Sequence, residues 1–485
     1  LFLGGVGSGK THVGGIISGY YIENFPNASG FIGANTFAQL SESTLKRFKA
    51  VWFEVFGWKQ DVDYVVGIIP PKNFIRQQIK FDSYTNVISF KNGAFCYKGS
   101  MDNAKAHDGK QFSWAFLDET KDTKEEDVKD VILTRLREVS MYFSEKGKLI
   151  TREEVLSLVG ENTYELDGNK IIDIYTLKEI KPFNPLYILT SPAKVSWINE
   201  WFGLDKMQGE IESKIYEKGD YFVHQSDNKC VVVSNTYHNE INLPAGYIER
   251  IIAENYNFKM LIYANPFSKS GGEFYSAWER LKHVGEVWYD PRLPIHLTFD
   301  QNVTPYVTMN VWQIEYKEDI ELRQIDEFCL PNPRNTTERV CLAWIDKYEN
   351  HNAGVFFYGD PSGRKRDTRG NEDDYQIVER VLAKYLNNNS NKVRRKHPPV
   401  LKRRAFIDNV FSNRYKVRVL ISPNCLNTIK DYTYIKQDAN GKKLKVLVKD
   451  KETGQTYEEY GHTSDANDYF MCEVLDNLFS RFSGE

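Results

Sequence analysis

The feature that most constrains this chain lies almost at its start: Gly4-Gly5-Val6-Gly7-Ser8-Gly9-Lys10-Thr11. Gly4-x-x-x-x-Gly9-Lys10-Thr11 has the spacing of a phosphate loop, which must join a buried strand directly to a helix. The flanks suit that: Leu1-Phe2-Leu3 is apolar, and Thr11 to Phe25 has helical periodicity. Glycines let backbone N–H groups turn inward around phosphate oxygens, and the helix N-terminus faces the anion. Gly4, Gly7, Ser8, Gly9, Lys10 and Thr11 are therefore the expected nucleotide contacts. Lys10 would bring charge to the β- and γ-phosphates of ATP, and the Thr11 hydroxyl would ligate Mg²⁺. Only three residues precede the loop, where a strand usually supplies about five or six. An N-terminal segment, with its share in holding the base, is expected to be missing.

Phe112 to Leu117 reads as a buried strand that ends in Asp118-Glu119. Beside a phosphate loop, Asp118 is expected to hold magnesium through water and Glu119 to orient the attacking water. That order favours hydrolysis over transfer to a second substrate. Thr190 and Ser191 end another strand and are candidates for coupling hydrolysis to movement; an ordinary turn explains them equally well. Arg135 and Arg137 are candidates for a transition-state arginine, with surface ion pairing as the plainer alternative.

Apolar runs at Phe31-Ile32-Gly33, Val87 to Phe90, Phe112 to Leu117 and Leu186 to Leu189 alternate with helical stretches such as Thr11 to Phe25 and Thr44 to Phe56. This predicts an α/β domain with a mostly parallel sheet over residues 1–265. Residues 144–180 interrupt it, as an insertion or lid. Pro266, Gly271, Gly272, Pro291 and Pro294 mark 266–292 as a linker. From 293 to 485 the rhythm changes. Strands are expected at Ile295 to Asp300, Val307 to Tyr316 and Glu321 to Leu330, then a helix from Thr337 to Glu349 and a strand Val355 to Tyr358. A helix over Tyr375 to Leu386, a long hairpin from Lys430 to Tyr460 around Asn440-Gly441, and a helix from Thr463 to Phe482 follow.

Asp300 and Asp360 end strands and Asp465 opens the last helix. Three carboxylates brought to one sheet edge repel one another and call for a divalent cation, Mg²⁺ or Mn²⁺. Two such ions could activate water and stabilise the leaving oxygen of a phosphodiester. His462 is a further candidate ligand or proton carrier, and Asp468 would share the helix face of Asp465. Singly, each acid is also explained as a cap or a solvated residue.

Net charge is −3, so nucleic-acid binding has to rest on local patches. Lys392 to Arg404 carries seven basic residues and no acid, and Arg364, Lys365, Arg366 and Arg369 lie beside Asp360. Both stretches are candidates for phosphate contacts, and the first reads equally well as a solvated loop. No apolar run has the length of a membrane span. The six cysteines show no paired spacing and are expected to be reduced, buried thiols.

In combination, Gly4 to Thr11, Leu117-Asp118-Glu119, Thr190-Ser191-Pro192, Thr298-Phe299-Asp300, Tyr358-Gly359-Asp360-Pro361 and His462-Thr463-Ser464-Asp465-Ala466-Asn467-Asp468-Tyr469 resemble the large terminase subunits of tailed double-stranded DNA bacteriophages. The resemblance implies a P-loop ATPase domain followed by a ribonuclease-H-like mixed α/β nuclease domain. It implies ATP-driven translocation of double-stranded viral DNA into a procapsid and two-metal cutting of concatemers, with Glu119, Asp300, Asp360 and Asp465 catalytic. It also implies a homo-oligomeric ring on the portal protein, a small terminase subunit as partner, and the cytoplasm of an infected bacterium as location. Val6 stands where many members carry a basic residue, and Asp468 where many carry Arg. A helicase-like or repair ATPase fused to a nuclease, and a DNA-gripping assembly ATPase with an inactive nuclease domain, are the alternatives.

Overall fold

The computed structural model describes residues 1–143, 148–160, 164–167, 170–174, 179–192, 196–226, 228–269, 271–301, 304–364, 372–449 and 454–484. The chain divides into two compact units, Leu1–Lys269 and Ser270–Glu485.

The first unit is built on a nine-stranded sheet. Its strands are β1 (Phe2–Gly4), β2 (Gly30–Ala34), β3 (Tyr64–Val66), β4 (Val87–Phe90), β5 (Phe95–Ser100), β6 (Trp114–Asp118), β7 (Leu186–Thr190), β8 (Tyr221–Ser226) and β9 (Lys229–Ser234). They lie in the order β8-β9-β1-β7-β6-β2-β5-β4-β3. The six strands from β9 to β5 run parallel, and β8, β4 and β3 join antiparallel. β2 and β6 are buried along their whole length, as strands covered on both faces must be. Helices α1 (Lys10–Asn24) and α2 (Leu45–Phe56) follow β1 and β2. Phe48 and Trp52 of α2 pack into the same buried cluster as Ile32, Trp114 and Phe116 of the sheet. All four expected strands and both helices are present, although β4 runs antiparallel to its neighbour. The 144–180 insertion has its own three-stranded sheet and a small apolar cluster of Tyr142, Ile150, Val155, Ile171 and Ile180. Its residues 144–147, 161–163, 168–169 and 175–178 lie outside the described residues.

The second unit holds a five-stranded mixed sheet of β10 (Ile295–Asp300), β11 (Tyr306–Tyr316), β12 (Ile320–Pro331), β13 (Val355–Gly359) and β14 (Val417–Ile421), ordered β13-β10-β11-β12-β14. β10, β11 and β12 form an antiparallel meander, while β13 and β14 add parallel at either edge. Around it lie α4 (Thr337–Tyr348), α5 (Asp374–Val381), α6 (Val400–Phe411), α7 (Leu426–Tyr434), α8 (His462–Val474) and α9 (Asp476–Ser483), α3 (Tyr247–Glu254) belonging to the first unit.

Three expectations are corrected. Residues 266–292 are not a linker: Phe274, Tyr275 and Trp278 are buried in the core of the second unit with Trp312, Phe411 and Tyr432, because prolines and glycines bracket aromatics that need a core. The long hairpin breaks up: Lys430 to Tyr434 ends α7, and among the described residues the strand pairing is Leu447–Lys449 with Thr456–Glu458, besides a bridge between Gln437 and Lys443. The final helix is interrupted at Leu475. The cysteines are all free, but Cys230 is exposed and Cys329 half-buried.

Candidate functional site: a phosphate loop and a carboxylate edge

The loop between β1 and α1 turns through left-handed glycines, Gly7 at φ 77° and Gly9 at φ 88°, a region that side chains with a Cβ rarely enter. β1, β7 and β6 are parallel neighbours in that order, so their C-terminal ends, Gly4, Thr190 and Asp118, share one edge of the sheet. Asp118 is 2% exposed and its carboxylate accepts from Thr11 Oγ1 at 3.1 Å and Thr44 Oγ1 at 2.8 Å. Burial pushes its pKa up to about 6, with the charge of Glu119 adding and the hydroxyls of Thr44 and Thr11 opposing. A buried carboxylate with hydroxyl partners and a raised pKa suits a site that receives a cation. Hard oxygen donors at Thr11 and Asp118 fit Mg²⁺ in kind.

Lys10 Nζ donates to the carbonyls of Gly4 and Gly5, both at 3.1 Å, within the loop it would leave to meet a phosphate. Its own burial lowers the ammonium's pKa against the pull of Glu119 and Asp118. Glu119 adopts φ 51°, a costly conformation for a residue with a side chain, and its N–H donates to Leu189 O at 2.8 Å. Its Oε2 makes no hydrogen bond, and Lys121 Nζ stands 4.0 Å away. The Glu119 carboxylate is close enough to Lys10 and Asp118 to act on the charge of both.

Thr190 is fully buried between the loop strand and the Asp118 strand, its Oγ1 donating to Ser191 O at 3.0 Å. Arg135 and Arg137 are not brought to this edge. Phe112 N donates to Arg135 O, and Phe112 bridges to Leu136, at the start of β6. From there to Asp118 an extended chain covers roughly 20 Å. Neither arginine reaches the phosphate loop of its own chain, and Arg135 pairs with Asp108 at 2.7 Å.

Sequence reasoning missed the segment that holds the loop from outside. Gly5 N donates to Ser234 O, Val6 N to Leu261 O at 2.6 Å, Thr236 Oγ1 to Val6 O at 2.9 Å and Asn239 Nδ2 to Gly7 O at 2.7 Å. Tyr247, on α3, borders Gly7, and Arg250 lies over its ring at 6.0 Å. No motif marks these residues. Their one visible signal is a cluster of polar residues, Ser234 to Asn242, after an apolar strand.

In the second unit, β10 and β13 are parallel with Phe299 opposite Gly359, so Asp300 and Asp360 leave adjacent strand ends side by side. Gly359 is required there: a Cβ would collide with the Tyr375 hydroxyl and with Phe299 O, 2.7 Å away. α8 carries His462, Asp465 and Tyr469 at i, i+3 and i+7, one helix face. His462 Nδ1 lies 3.4 Å from Asp300 Oδ2, and the Tyr469 hydroxyl donates to Asp360 Oδ2 at 3.1 Å. Burial pulls the His462 pKa down, and the Asp300 carboxylate overrides this and pushes it up to about 9. His397 stands 3.6 Å from Asp360, another residue missed from sequence.

α8 is fixed beneath the sheet by buried polar side chains. Thr298 donates to Ala466 O, Asn310 to Thr463 O and Asn467 Oδ1, and Trp312 Nε1 to Asn467 Oδ1. The start of α8 is held by Asp431, which accepts from Gly461 N at 2.9 Å, Thr463 Oγ1 at 2.7 Å and Ser464 N at 3.0 Å.

Asp465 lies on the same face of α8 as His462 and Tyr469. Its Oδ1 is bound by Arg403 Nη2 at 2.7 Å and Lys443 Nζ at 3.0 Å. Among the described residues no three His, Cys, Asp or Glu side chains converge to hold a metal ion. Asp300, Asp360 and His462 fit a divalent cation in donor chemistry; Asp465 is occupied by cations already. The basic stretch explains part of this. Arg394 pairs with Glu473 and Asp476, Lys402 caps Ser483 O, Arg403 meets Asp465, and Arg404 donates to Phe274 O. Four of its charges thus serve the unit's own structure. Arg364 likewise donates to Val393 O; Lys365, Arg366 and Arg369 lie outside the described residues. No described helix is long and apolar enough to cross a membrane.

Comparison with known proteins bears on the first unit. Residues 1–147 match the family model described as terminase large subunit, T4likevirus-type, N-terminal. No curated protein matches. Among solved structures, the chain is similar to the large terminase of a thermophilic bacteriophage in complex with ATP-gamma-S, at 15% identity and TM-score 0.33, covering 98% of this chain and 93% of that one. It is also similar to the large terminase ATPase domain of Thermus phage P74-26, at 12% identity and TM-score 0.30, over 55% and 87% of the two chains. The P22 large terminase nuclease domain is matched at 12% identity and TM-score 0.28, over 43% and 93%. The family resemblance of this chain is to the terminase large subunits, and residues 1–147 carry it.

Proposed function

We propose that the chain is a viral DNA-packaging motor with a cutting domain. The first unit hydrolyses ATP to translocate double-stranded DNA into a procapsid, and the second cleaves concatemeric DNA with a divalent metal. The observation that carries this is the phosphate loop with Thr11 hydrogen-bonded to Asp118 and the Glu119 carboxylate next in the chain, inside the region that matches the terminase model. In this reading Lys10 leaves the loop carbonyls for the β- and γ-phosphates, Glu119 orients the attacking water, and Thr190 and Ser191 relay the change along β7. Magnesium held by Thr11 and Asp118 would neutralise charge on the phosphates.

The cutting half is supported by the side-by-side exit of Asp300 and Asp360, with His462 beside them. A divalent ion there would polarise water and the scissile phosphate. Asp465, on the α8 face of His462 and paired with Arg403 and Lys443, would be the third acid of the set. The working form is proposed to be a homo-oligomeric ring on the portal protein, with a small terminase subunit selecting DNA, in the cytoplasm of the infected bacterium.

The test is cleavage of linear and circular double-stranded DNA with Mg²⁺ or Mn²⁺, beside ATP turnover. Asp300→Ala and Asp360→Ala are each expected to lower cutting at least about 100-fold while leaving ATP turnover intact. Full cutting by either variant overturns the nuclease assignment. No cutting by the unaltered chain, with ATP turnover present, selects the DNA-gripping alternative.

A further inference from the structure

The phosphate loop has two unlike flanks. In the strand order β9-β1-β7-β6 the loop follows β1, and the strand that carries Asp118 and Glu119 lies two places away, at roughly 10 Å. On the opposite flank β9 runs beside β1 and ends with Ser234 level with Gly4. A nucleotide whose terminal phosphate faces Asp118 and Glu119 carries its ribose and base away from those acids. Its other end therefore falls on the flank where the chain leaves β9.

That segment brings an aromatic ring to the loop. Pro244-Ala245-Gly246 turns the chain, with Tyr247 N donating to Pro244 O at 3.0 Å. Gly246, at φ 72° and ψ 9°, takes the left-handed place that such a turn gives to glycine. Tyr247 then opens α3 beside the loop: a Cβ at Gly7 would lie 3.7 Å from Tyr247 Cε1 and 3.1 Å from Leu243 Cδ2. Asn239 holds the same corner, its Nδ2 donating to Gly7 O at 2.7 Å. Asn242 Nδ2 donates to Asn239 Oδ1 at 2.8 Å and so sets which way that amide points.

Tyr247 is half-buried, and Arg250, three residues on and on the same helix face, is exposed. The Arg250 guanidinium carbon stands 6.0 Å from the centre of the Tyr247 ring. A flat ring held between the two needs roughly 7 Å, twice a carbon contact distance. An exposed arginine opens the gap by that difference through a small change of rotamer.

We infer that Tyr247 and Arg250 form the base subsite of the ATP site: adenine stacks on the Tyr247 ring, and the Arg250 guanidinium closes over its other face. The inference rests on the ATP reading of the phosphate loop and adds to it the residues that hold the base. A tyrosine face attracts a purine ring, and a guanidinium lies flat against a π system. Asn239 keeps this segment attached to Gly7, so the platform stays at a fixed distance from the phosphates.

The test compares two ligands by calorimetric titration of the full chain with Mg²⁺: a slowly hydrolysed ATP analogue, and inorganic tripolyphosphate, which has no base. Tyr247→Leu keeps an apolar side chain against Gly7 and removes the aromatic face. It should weaken the ATP analogue at least about fivefold and leave tripolyphosphate within about twofold. Tyr247→Phe should bind both ligands as the unaltered chain does. Arg250→Gln should weaken the analogue about threefold and leave tripolyphosphate unchanged. Equal weakening of both ligands by Tyr247→Leu makes the ring a support of the loop alone and overturns the inference, as does unchanged binding of the analogue. If the unaltered chain binds neither ligand, the ATP reading itself falls, and the inference with it.

Discussion

The phosphate loop and the carboxylate edge both place acids at the C-terminal ends of sheet strands, yet they treat those acids in opposite ways. Asp118 is surrounded by the neutral hydroxyls of Thr11 and Thr44, and burial pushes its pKa up to about 6. Asp465 is half-buried, and Lys443 and Arg403 outweigh its desolvation and hold its pKa below the usual carboxylate range. One acid is kept in need of a cation and the other is supplied with cations by the fold. The proposed motor, loading and releasing a nucleotide each cycle, would need the first arrangement, since a resident cation at Asp118 would compete with one arriving with ATP. The second arrangement suits a fixed scaffold around a resident ion.

Substitutions can break or sharpen this contrast. Lys10→Ala is expected to have the largest effect, lowering ATP turnover at least about 100-fold by removing preorganised charge at the phosphates. Metal-dependent cutting should persist in that variant; parallel loss of cutting would show that the two sites are not separable. Asp431→Ala comes next. It removes three hydrogen bonds at the start of α8 and should cost about 3 kcal/mol of stability in the second unit, read by chemical denaturation. Cutting should fall while ATP turnover holds; equal losses would place the Asp431 effect outside α8.

Asn239→Ala tests the outer clamp of the phosphate loop. Loss of one hydrogen bond to Gly7 O should cost about 1 kcal/mol, seen as a several-fold rise in KM for ATP with kcat little changed. A fall in kcat alone would assign Asn239 to the chemistry instead. The smallest effect is expected for Arg135→Ala, whose side chain sits at the far end of β6 beside Asp108. Turnover by the isolated chain should stay within about twofold, as for an exposed ion pair. A hundredfold loss would require a different path from Arg135 to the phosphates.

The difference in legibility between the two sites follows from how each is assembled. Gly4 to Thr11 is one contiguous stretch, and Asp118 follows an apolar strand, so local pattern suffices. Asp300 and Asp360 were also readable, because each ends an apolar run and parallel pairing puts such ends together. Arg403 was not: in a run of seven basic residues it looked like a solvent-facing charge. Its true face is set by Phe406, Ile407 and Val410, which follow at helical spacing and are buried. That periodicity is present in the sequence and outweighs the charge run once the helix is recognised. Lys443 has no such signal, since its partners lie across a turn and on another helix. The 266–292 segment misled for a related reason. Prolines and glycines there are real chain-direction changes, but Phe274, Tyr275 and Trp278 between them are core residues.

Val6 was the one position of the loop that departed from the family pattern. Its amide donates to Leu261 O and its carbonyl accepts from Thr236 Oγ1, so the neighbouring segment grips the peptide unit rather than the side chain. Anchorage through main-chain atoms is indifferent to which residue occupies the position. The curvature of the loop is therefore set by the segment 234–262 through bonds that any side chain at position 6 would leave in place.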